Sequence, residues 1–484
     1  MDGEEIPSAP TPKDRPMWQF HVVRILSYAC VAFLYALVSF QKQCPSTFLE
    51  DMAHSYNVPK KDLGIFSSVY FYAYAITQPF AGLFADIIDP AFVVGIAQIV
   101  AAVGSIICGL SNSLGVGIFG RLLVGLGCGP TYVSVCRIIT NWFKLSQLPL
   151  MLGILVSCAG AGGILAAGPT AAFLKHYNWR YAFYGIGAIG VIFSIITLTL
   201  IRGNPVDKGF KPVNEELAGP ATPIPIKQKF VTLWNNFKTV ISNGYFWLIA
   251  VFNFFSSGPY FDCVGLWGGP YLVDTLQYTK EKKGDTLISY SIGLIIGSLS
   301  LPSISTALKT RKWVMFFSSC LVFFVMLSFI FAGQRMSNGV IWVLNILIGA
   351  FTNPLTSVAY PLVREYYHPS VSGTSVGCSN IFTFLASAVF QQISSALIPL
   401  GGKMTNHLNE NGYQWKGYKN GLWLFCTVSL AVSALAAAFT KDSDFNKKKP
   451  TEPPPKADDQ HEKKKEEDEA EEDHAPSDEV LDEL

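Results

Sequence analysis

Three observations predict an all-α membrane protein with twelve transmembrane helices in two pseudo-symmetric six-helix bundles. The first is composition: 50% of the 484 residues are hydrophobic and only 15% are charged, where soluble domains carry roughly 25% charged residues. The second is that apolar segments recur at about the 20-residue length needed to cross a bilayer. The third is a single long polar interruption, residues 203–242, punctuated by Pro205, Pro212, Pro220, Pro223 and Pro225, with about six apolar segments on each side. Two such halves with a cavity between them are the plan of a membrane carrier.

The chain divides accordingly. Residues 1–17 are polar and Pro-rich and lack the basic-then-apolar pattern of a cleaved signal peptide; a disordered cytosolic N-terminus is expected. The N-terminal bundle occupies 18–202. Its first segment begins near Phe20 and runs into a polar portion containing Gln41, Lys42 and Gln43. The next five cover about 63–84, 91–110, 116–140, 148–174 and 182–201. After the cytosolic linker 203–242, the C-terminal bundle (243–440) supplies segments at about 246–266, 287–308, 313–331, 340–362, 372–398 and 422–439. Residues 441–484 form a Lys/Glu/Asp-rich tail with almost no apolar residues, too polar to bury a core and expected to be disordered. That tail is read either as a docking or sorting segment for a cytosolic partner or as a plain solvated appendage.

Loop charge orients the chain. Lys144, Arg202, Lys208, Lys211, Lys227, Lys229, Lys238, Lys309, Arg311, Lys312, Arg364 and Lys441 fall on one side. Lys60, Lys61, Lys280, Lys282 and Lys283 fall on the other, interspersed with Asp and Glu. The excess places both termini in the cytosol, in the plasma membrane or an organelle membrane. The basic residues form no stripe of the kind that binds nucleic acid. The ten cysteines lack CxxC spacing, so neither a metal site nor a disulfide framework is indicated. No nucleotide-binding loop and no nucleophile triad occurs; no cofactor is expected, and the chain is not read as an enzyme.

Several blocks in order resemble the major facilitator superfamily over essentially residues 18–440. QPFAGLFADIIDPAFV, between segments two and three, is similar to that family's signature loop, with Gly82 and Asp86 in the places of its Gly and Asp. Asp89, Pro90 and Ala91 replace its later Gly and basic residues. GRLLVGLGCGPTY matches the Arg-x-x-x-Gly-x-Gly pattern through Arg121, Gly125 and Gly127. NWF (141–143), NWRYAFY (178–184), GLWGGPYL (265–272) and GTSVGCSN (373–380) are similar to further blocks, the last two in carriers of organic anions and sugar phosphates. The second signature loop keeps Arg311 and Lys312 but has Thr306 where an Asp is usual. The resemblance implies the fold and alternating access, with Gly82, Asp86, Arg137, Arg311 and Lys312 as loop and gate residues; only Gly168-Pro169 resembles the antiporter motif, so drug antiport is disfavoured.

Chemistry is sought among ionisable residues inside the membrane, each costing roughly 2.5–3.5 kcal/mol unless it faces a wet cavity or a partner. Arg24 is set aside, because it lies near the helix start and can snorkel to headgroups. Lys42 lies deep in the first helix if that helix continues to about Leu49; if it stops near Phe40, Lys42 is only a loop lysine. Asp262 holds the equivalent place in segment seven, so the repeat predicts that Lys42 and Asp262 face each other across the cavity. That pair suits a zwitterion or monocarboxylate, or else is a structural ion pair. Arg121 either holds a substrate anion or braces segment four against backbone carbonyls. Tyr70, Tyr74, Gln78, Tyr260 and Asn353 complete the expected substrate-binding set. Tyr70, Tyr72 and Tyr74 cannot all share one helical face.

The function expected is secondary transport of a small polar organic solute such as a carboxylate, amino acid or peptide, with or without proton coupling. A transport-dead sensor or receptor, and a facilitative sugar or sugar-phosphate carrier, remain as alternatives. Expected partners are the small-molecule substrate, protons and membrane lipid.

Overall fold

A computed structural model describes residues 16–213, 226–408 and 410–443. The disorder expected of residues 1–15 and of the tail beyond Ser443 lies outside the described residues.

Twelve helical stretches occupy the predicted segments. In the first half they are α1 (Met17–Tyr56), α2 (Leu63–Ile87), α3 (Pro90–Leu110), α4 (Leu114–Trp142), α5 (Leu148–Phe173) and α6 (Trp179–Leu200). In the second they are α7 (Gly244–Asp274), α8 (Lys280–Ala307), α9 (Lys312–Ala332), α10 (Asn338–Glu365), α11 (Pro369–Leu397) and α12 (Trp415–Phe439). Among the described residues ten helices are long and apolar enough to cross a membrane, or up to eleven if α7 and the helix bent from it by 85° are counted together as one span. The linker contains a helix of its own, Ile226–Ile241, which the proline content of that region had obscured.

Local chemistry sets the boundaries. Asp89 accepts a hydrogen bond from Ala91 N at 2.8 Å and Pro90 opens α3, while Asn178 and Asn243 cap α6 and α7 in the same way. α1 ends at Asn57, whose φ of 53° is the left-handed conformation that Asn tolerates. Four spans are interrupted. α4 turns at Gly129-Pro130, α10 breaks at Thr352 before Pro354, and π-helical turns lie at Cys263–Trp267 in α7 and Lys419–Leu424 in α12. Such irregular turns recur where a helix carries function.

The outer surface is apolar, as a lipid-facing surface must be. On α9, Phe317, Phe324 and Phe331 repeat every seventh residue and are exposed, a stripe along one face. Inside, small residues let backbones approach closely. A Cβ on Gly293 or Gly297 of α8 would collide with the backbone of α10 at Ile346 and Ala350, and one on Gly162 of α5 would collide with Ala36 of α1.

Within the first half, α3 packs on α4 and α6, and α1 packs on α5; within the second, α7 packs on α11, α8 on α10, and α9 on α12. The halves meet where α2 packs on α11, α5 on α8, and α1 on the π-helical turn of α7. A two-stranded hairpin, β1 (Lys403–Thr405) and β2 (Asn411–Tyr413), joins α11 to α12.

Candidate functional site

The polar portion of α1 organises the seam between the halves. The helix continues unbroken past Lys42 to Tyr56, so Lys42 is a mid-helix residue and not part of a loop. Its two neighbours point in opposite directions. Gln41 serves its own half, its Oε1 accepting from Ser105 Oγ of α3 at 2.9 Å. Gln43 reaches the other half, its Oε1 accepting from Ser291 Oγ of α8 at 3.2 Å. Lys42 lies between them, buried, with its Nζ 4.6 Å from the ring centre of Tyr74 on α2 and 4.8 Å from that of Phe384 on α11. One ring comes from each half, so the ammonium sits on the seam in a cation–π box. Among the described residues no carboxylate pairs with it.

Arg121 is fully buried one helix away. Pro45 has no N–H and leaves the Gln41 carbonyl without its helical partner; Arg121 Nη1 donates to that oxygen at 2.9 Å. Its guanidinium lies 4.7 Å from the Tyr70 ring centre and 5.5 Å from that of Phe66. In this conformation Arg121 ties α4 to α1 beside Pro45. α7 repeats the device, since Pro259 frees the Phe255 carbonyl and Ser429 Oγ of α12 donates to it at 3.3 Å.

Asp262 and Lys42 are not paired, which corrects the expectation that the repeat would set them face to face. Asp262 Oδ2 accepts from Ser394 Oγ of α11 at 2.5 Å, with Cys426 Sγ of α12 3.9 Å away; Oδ1 has no partner among the described residues. The reason is helical phase. Lys42 meets α11 at Phe384 and Asp262 meets it at Ser394, ten residues further on, which is about 15 Å along the axis and about 80° around it. Asp262 therefore points into its own bundle.

The other candidates fall in three groups. Tyr70 and Tyr74 are buried with ring centres 6.0 Å apart, while Tyr72 between them is half-buried on another face. Gln78 joins the halves: its Nε2 donates to Gly129 O at 3.1 Å and its Oε1 accepts from Asn380 of α11, whose own Oδ1 accepts from the Tyr360 hydroxyl. Tyr260 is buried edge-on to Phe261, and Asn353 opens the break in α10, its carbonyl accepting from Thr356 Oγ1.

Of the loop and gate set, Gly82 and Asp86 lie on α2, but their side chains are outside the described ones. Arg137 is exposed on α4. Arg311 pairs with Glu365 at 2.8 Å and Lys312 Nζ lies 5.4 Å from the Trp313 ring centre. Asp89, standing where the family has another residue, accepts from Gly203 N at 2.8 Å and so fastens the start of the linker to α3.

Sequence reasoning missed a second cluster, at the end of the bundles opposite the linker. Glu50 of α1 bonds Lys283 of α8 at 2.7 Å and lies 3.9 Å from Lys60, which is 3.3 Å from Asp274 of α7. All four are buried. Asp274 also accepts from Asn406 Nδ2, Tyr413 N and the Tyr418 hydroxyl at 2.7–3.0 Å. Nearer solvent, Lys280 pairs with Asp51 and Glu410. These bonds close the halves over one end of the seam. The lysines read from sequence as loop residues, and the signal for the cluster is Glu50 and Asp51 near the end of α1 with Lys60 and Lys61 in the turn after it.

Two six-helix bundles meeting on a buried polar seam, bonded at its end, define a multi-pass membrane protein. A family model described as Major Facilitator Superfamily matches residues 31–391 and 270–470, and the chain belongs to that superfamily of transporters. Among its relatives is a protein of Chlamydia pneumoniae named "Probable hexose phosphate transport protein", 21% identical over 426 residues, which are 85% of this chain and 90% of that one. "Membrane sensor protein UhpC" of Escherichia coli (strain K12) is 21% identical over 293 residues, 58% of this chain and 63% of the other. The fold is also similar to the crystal structure of a bacterial homologue of the human lysosomal transporter Spinster in its inward-facing, unoccupied conformation. The TM-score is 0.64 and the identity 15%, over 86% of this chain and 96% of that one.

Proposed function

We propose that this chain is a secondary transporter of a small organic monoanion, a carboxylate in the first instance, working by alternating access with Lys42 as the group that holds the anion. One observation carries the reading: a buried ammonium on the seam, boxed by one aromatic ring from each half and without a carboxylate partner among the described residues. A desolvated cation of that kind binds an anion strongly, and an anion seated there touches both halves, which is what couples binding to their movement. A sugar phosphate of the kind named for the chlamydial relative fits less well. Lysine is a point charge without the bidentate fork that matches phosphate. The amine end of an amino acid lacks a counter-charge, because Asp262 faces Ser394 instead.

Asp262 is the coupling group in this reading. It is a fully buried carboxyl with one unpartnered oxygen and no cation within bonding distance among the described residues. The quartet of Glu50, Lys60, Asp274 and Lys283 is the gate, which must part for the seam to open at that end.

A sensor that binds without transporting is the second reading, favoured by the relative named as a membrane sensor protein. Uptake of labelled monocarboxylates and sugar phosphates into proteoliposomes, with and without a pH gradient, separates the two. Carboxylate uptake that a gradient enhances supports the transporter; saturable binding without uptake supports the sensor.

A further inference from the structure

We propose that the linker helix Ile226–Ile241 is a membrane-surface anchor, lying along the bilayer interface on the linker side and binding anionic lipid headgroups. Its sequence, IKQKFVTLWNNFKTVI, carries Lys227, Lys229 and Lys238 and no acidic residue. Its axis meets that of α7 at 85° across a short break at Ser242 and Asn243. α7 crosses the membrane, so a helix perpendicular to it runs parallel to the membrane surface.

The helix has three faces. One packs on the protein: Val240 is buried, Phe237 is half-buried, and the Tyr367 hydroxyl donates to Val240 O at 2.8 Å. A second is polar and open, formed by Gln228, Thr232, Asn235 and Thr239. The third is apolar and open. Phe230, Val231 and Trp234 are 47%, 51% and 57% exposed, and at 100° per residue they share one sector of the helix with Lys238. The Lys238 Nζ lies 5.5 Å from the Trp234 ring centre.

Three large apolar side chains on one sector of a helix that shows water another, polar, sector require an apolar medium on one side only. The interface supplies it: indole and phenyl rings enter the acyl boundary while lysines reach headgroups. The absence of any acid on the helix selects anionic headgroups over neutral ones. Lipid is the occupant because the helix lies at the mouth of a membrane-spanning helix, where the bilayer surface is already present.

The test uses the full chain in bilayers. Trp234 emission is taken as the difference between wild type and Trp234→Phe, and quenching is measured with lipids brominated near the top of the acyl chain and with aqueous iodide. A control, Asn235→Trp in the Trp234→Phe background, moves the indole to the polar sector. Trp234 should lose most of its emission to brominated lipid and little to iodide, with the reverse for the control. Equal iodide quenching at both positions, or protection of Trp234 from both quenchers as by a protein partner or second copy, overturns the proposal. Quenching by brominated phosphatidylglycerol should exceed that by brominated phosphatidylcholine, and the excess should vanish in Lys227→Gln/Lys229→Gln/Lys238→Gln. No excess in the wild type removes the anionic selectivity.

Discussion

Lys60 and Asp274, 214 residues apart, meet at 3.3 Å and are both buried. The first lies in the turn after α1 and the second at the end of α7, so their bond joins the two halves. Glu50 and Lys283 complete the cluster as a neutral quartet of two cations and two anions. Removing one member of such a group leaves its partner buried and uncompensated, which costs about 3 kcal/mol or more.

Asp274→Asn should therefore lower thermal stability and loosen this end of the seam. The check is a cysteine at Ser46, a fully buried residue of the adjoining turn of α1. Ser46→Cys should react slowly with a membrane-impermeant maleimide in the parent and faster by about tenfold or more in Asp274→Asn, a gap of at least 1.4 kcal/mol in opening. Unchanged melting and unchanged reactivity would show that the quartet is not a gate.

Lys42→Ala should abolish saturable anion uptake, and Lys42→Arg should retain part of it. Losing a hydrogen bond to a charged group costs about 1.5–3 kcal/mol, roughly ten- to a hundredfold in affinity. The measurement is substrate protection against thermal unfolding beside uptake, so that binding is read separately from movement. Full uptake by Lys42→Ala would remove the proposed site.

Asp262→Asn should remove the response to a pH gradient while leaving exchange of labelled for unlabelled substrate intact, because exchange needs no net proton movement. The variant keeps the size of the side chain and can still accept from Ser394. Gradient-driven accumulation by Asp262→Asn at the wild-type level would eliminate it as the coupling group.

Arg121 and Pro45 should be energetically coupled. Arg121→Met leaves the Gln41 carbonyl that Pro45 frees with only the weak Cys44 thiol donor, whereas Pro45→Ala returns that carbonyl to its helix. The double variant should recover part of the stability lost in Arg121→Met, with a coupling of about 1 kcal/mol. Additive losses would mean that Arg121 is not bracing α1 at the carbonyl that Pro45 leaves free.

At the other end of the molecule Asp442 fastens the end of the second half. Burial opposes ionisation of its carboxyl, but hydrogen bonds from Thr310 and from the backbone N–H groups of Lys312, Arg311 and Ser443 outweigh it and hold the pKa below the ordinary 3.8. A lowered carboxyl pKa contributes stability that is complete above the unfolded value and lost as pH falls through the folded one. Amide exchange at Arg311 and Lys312 should thus stay protected at pH 5 and weaken only below 3.8, whereas Asp442→Ala, which removes the accepting oxygen, should expose both amides at every pH.

The sequence by itself determined the number and order of the spans and the division into halves, because crossing a bilayer demands a run of apolar residues that can be counted along the chain. It also singled out Lys42, Arg121 and Asp262, since a charge in an apolar run stands out without a partner, and it separated Tyr72 from Tyr70 and Tyr74, since helical phase is local. Only the tertiary structure decided what each charge meets. Asp262 turns to Ser394 and away from Lys42, Arg121 fills the gap left by Pro45, and Glu50 finds Lys283 across 233 residues. Those outcomes depend on how far each helix is rotated and shifted against its neighbours, which is set by packing such as the Gly293 and Gly297 contacts on α10. Hydropathy fixes where a helix lies in the membrane, but not which way its side chains face.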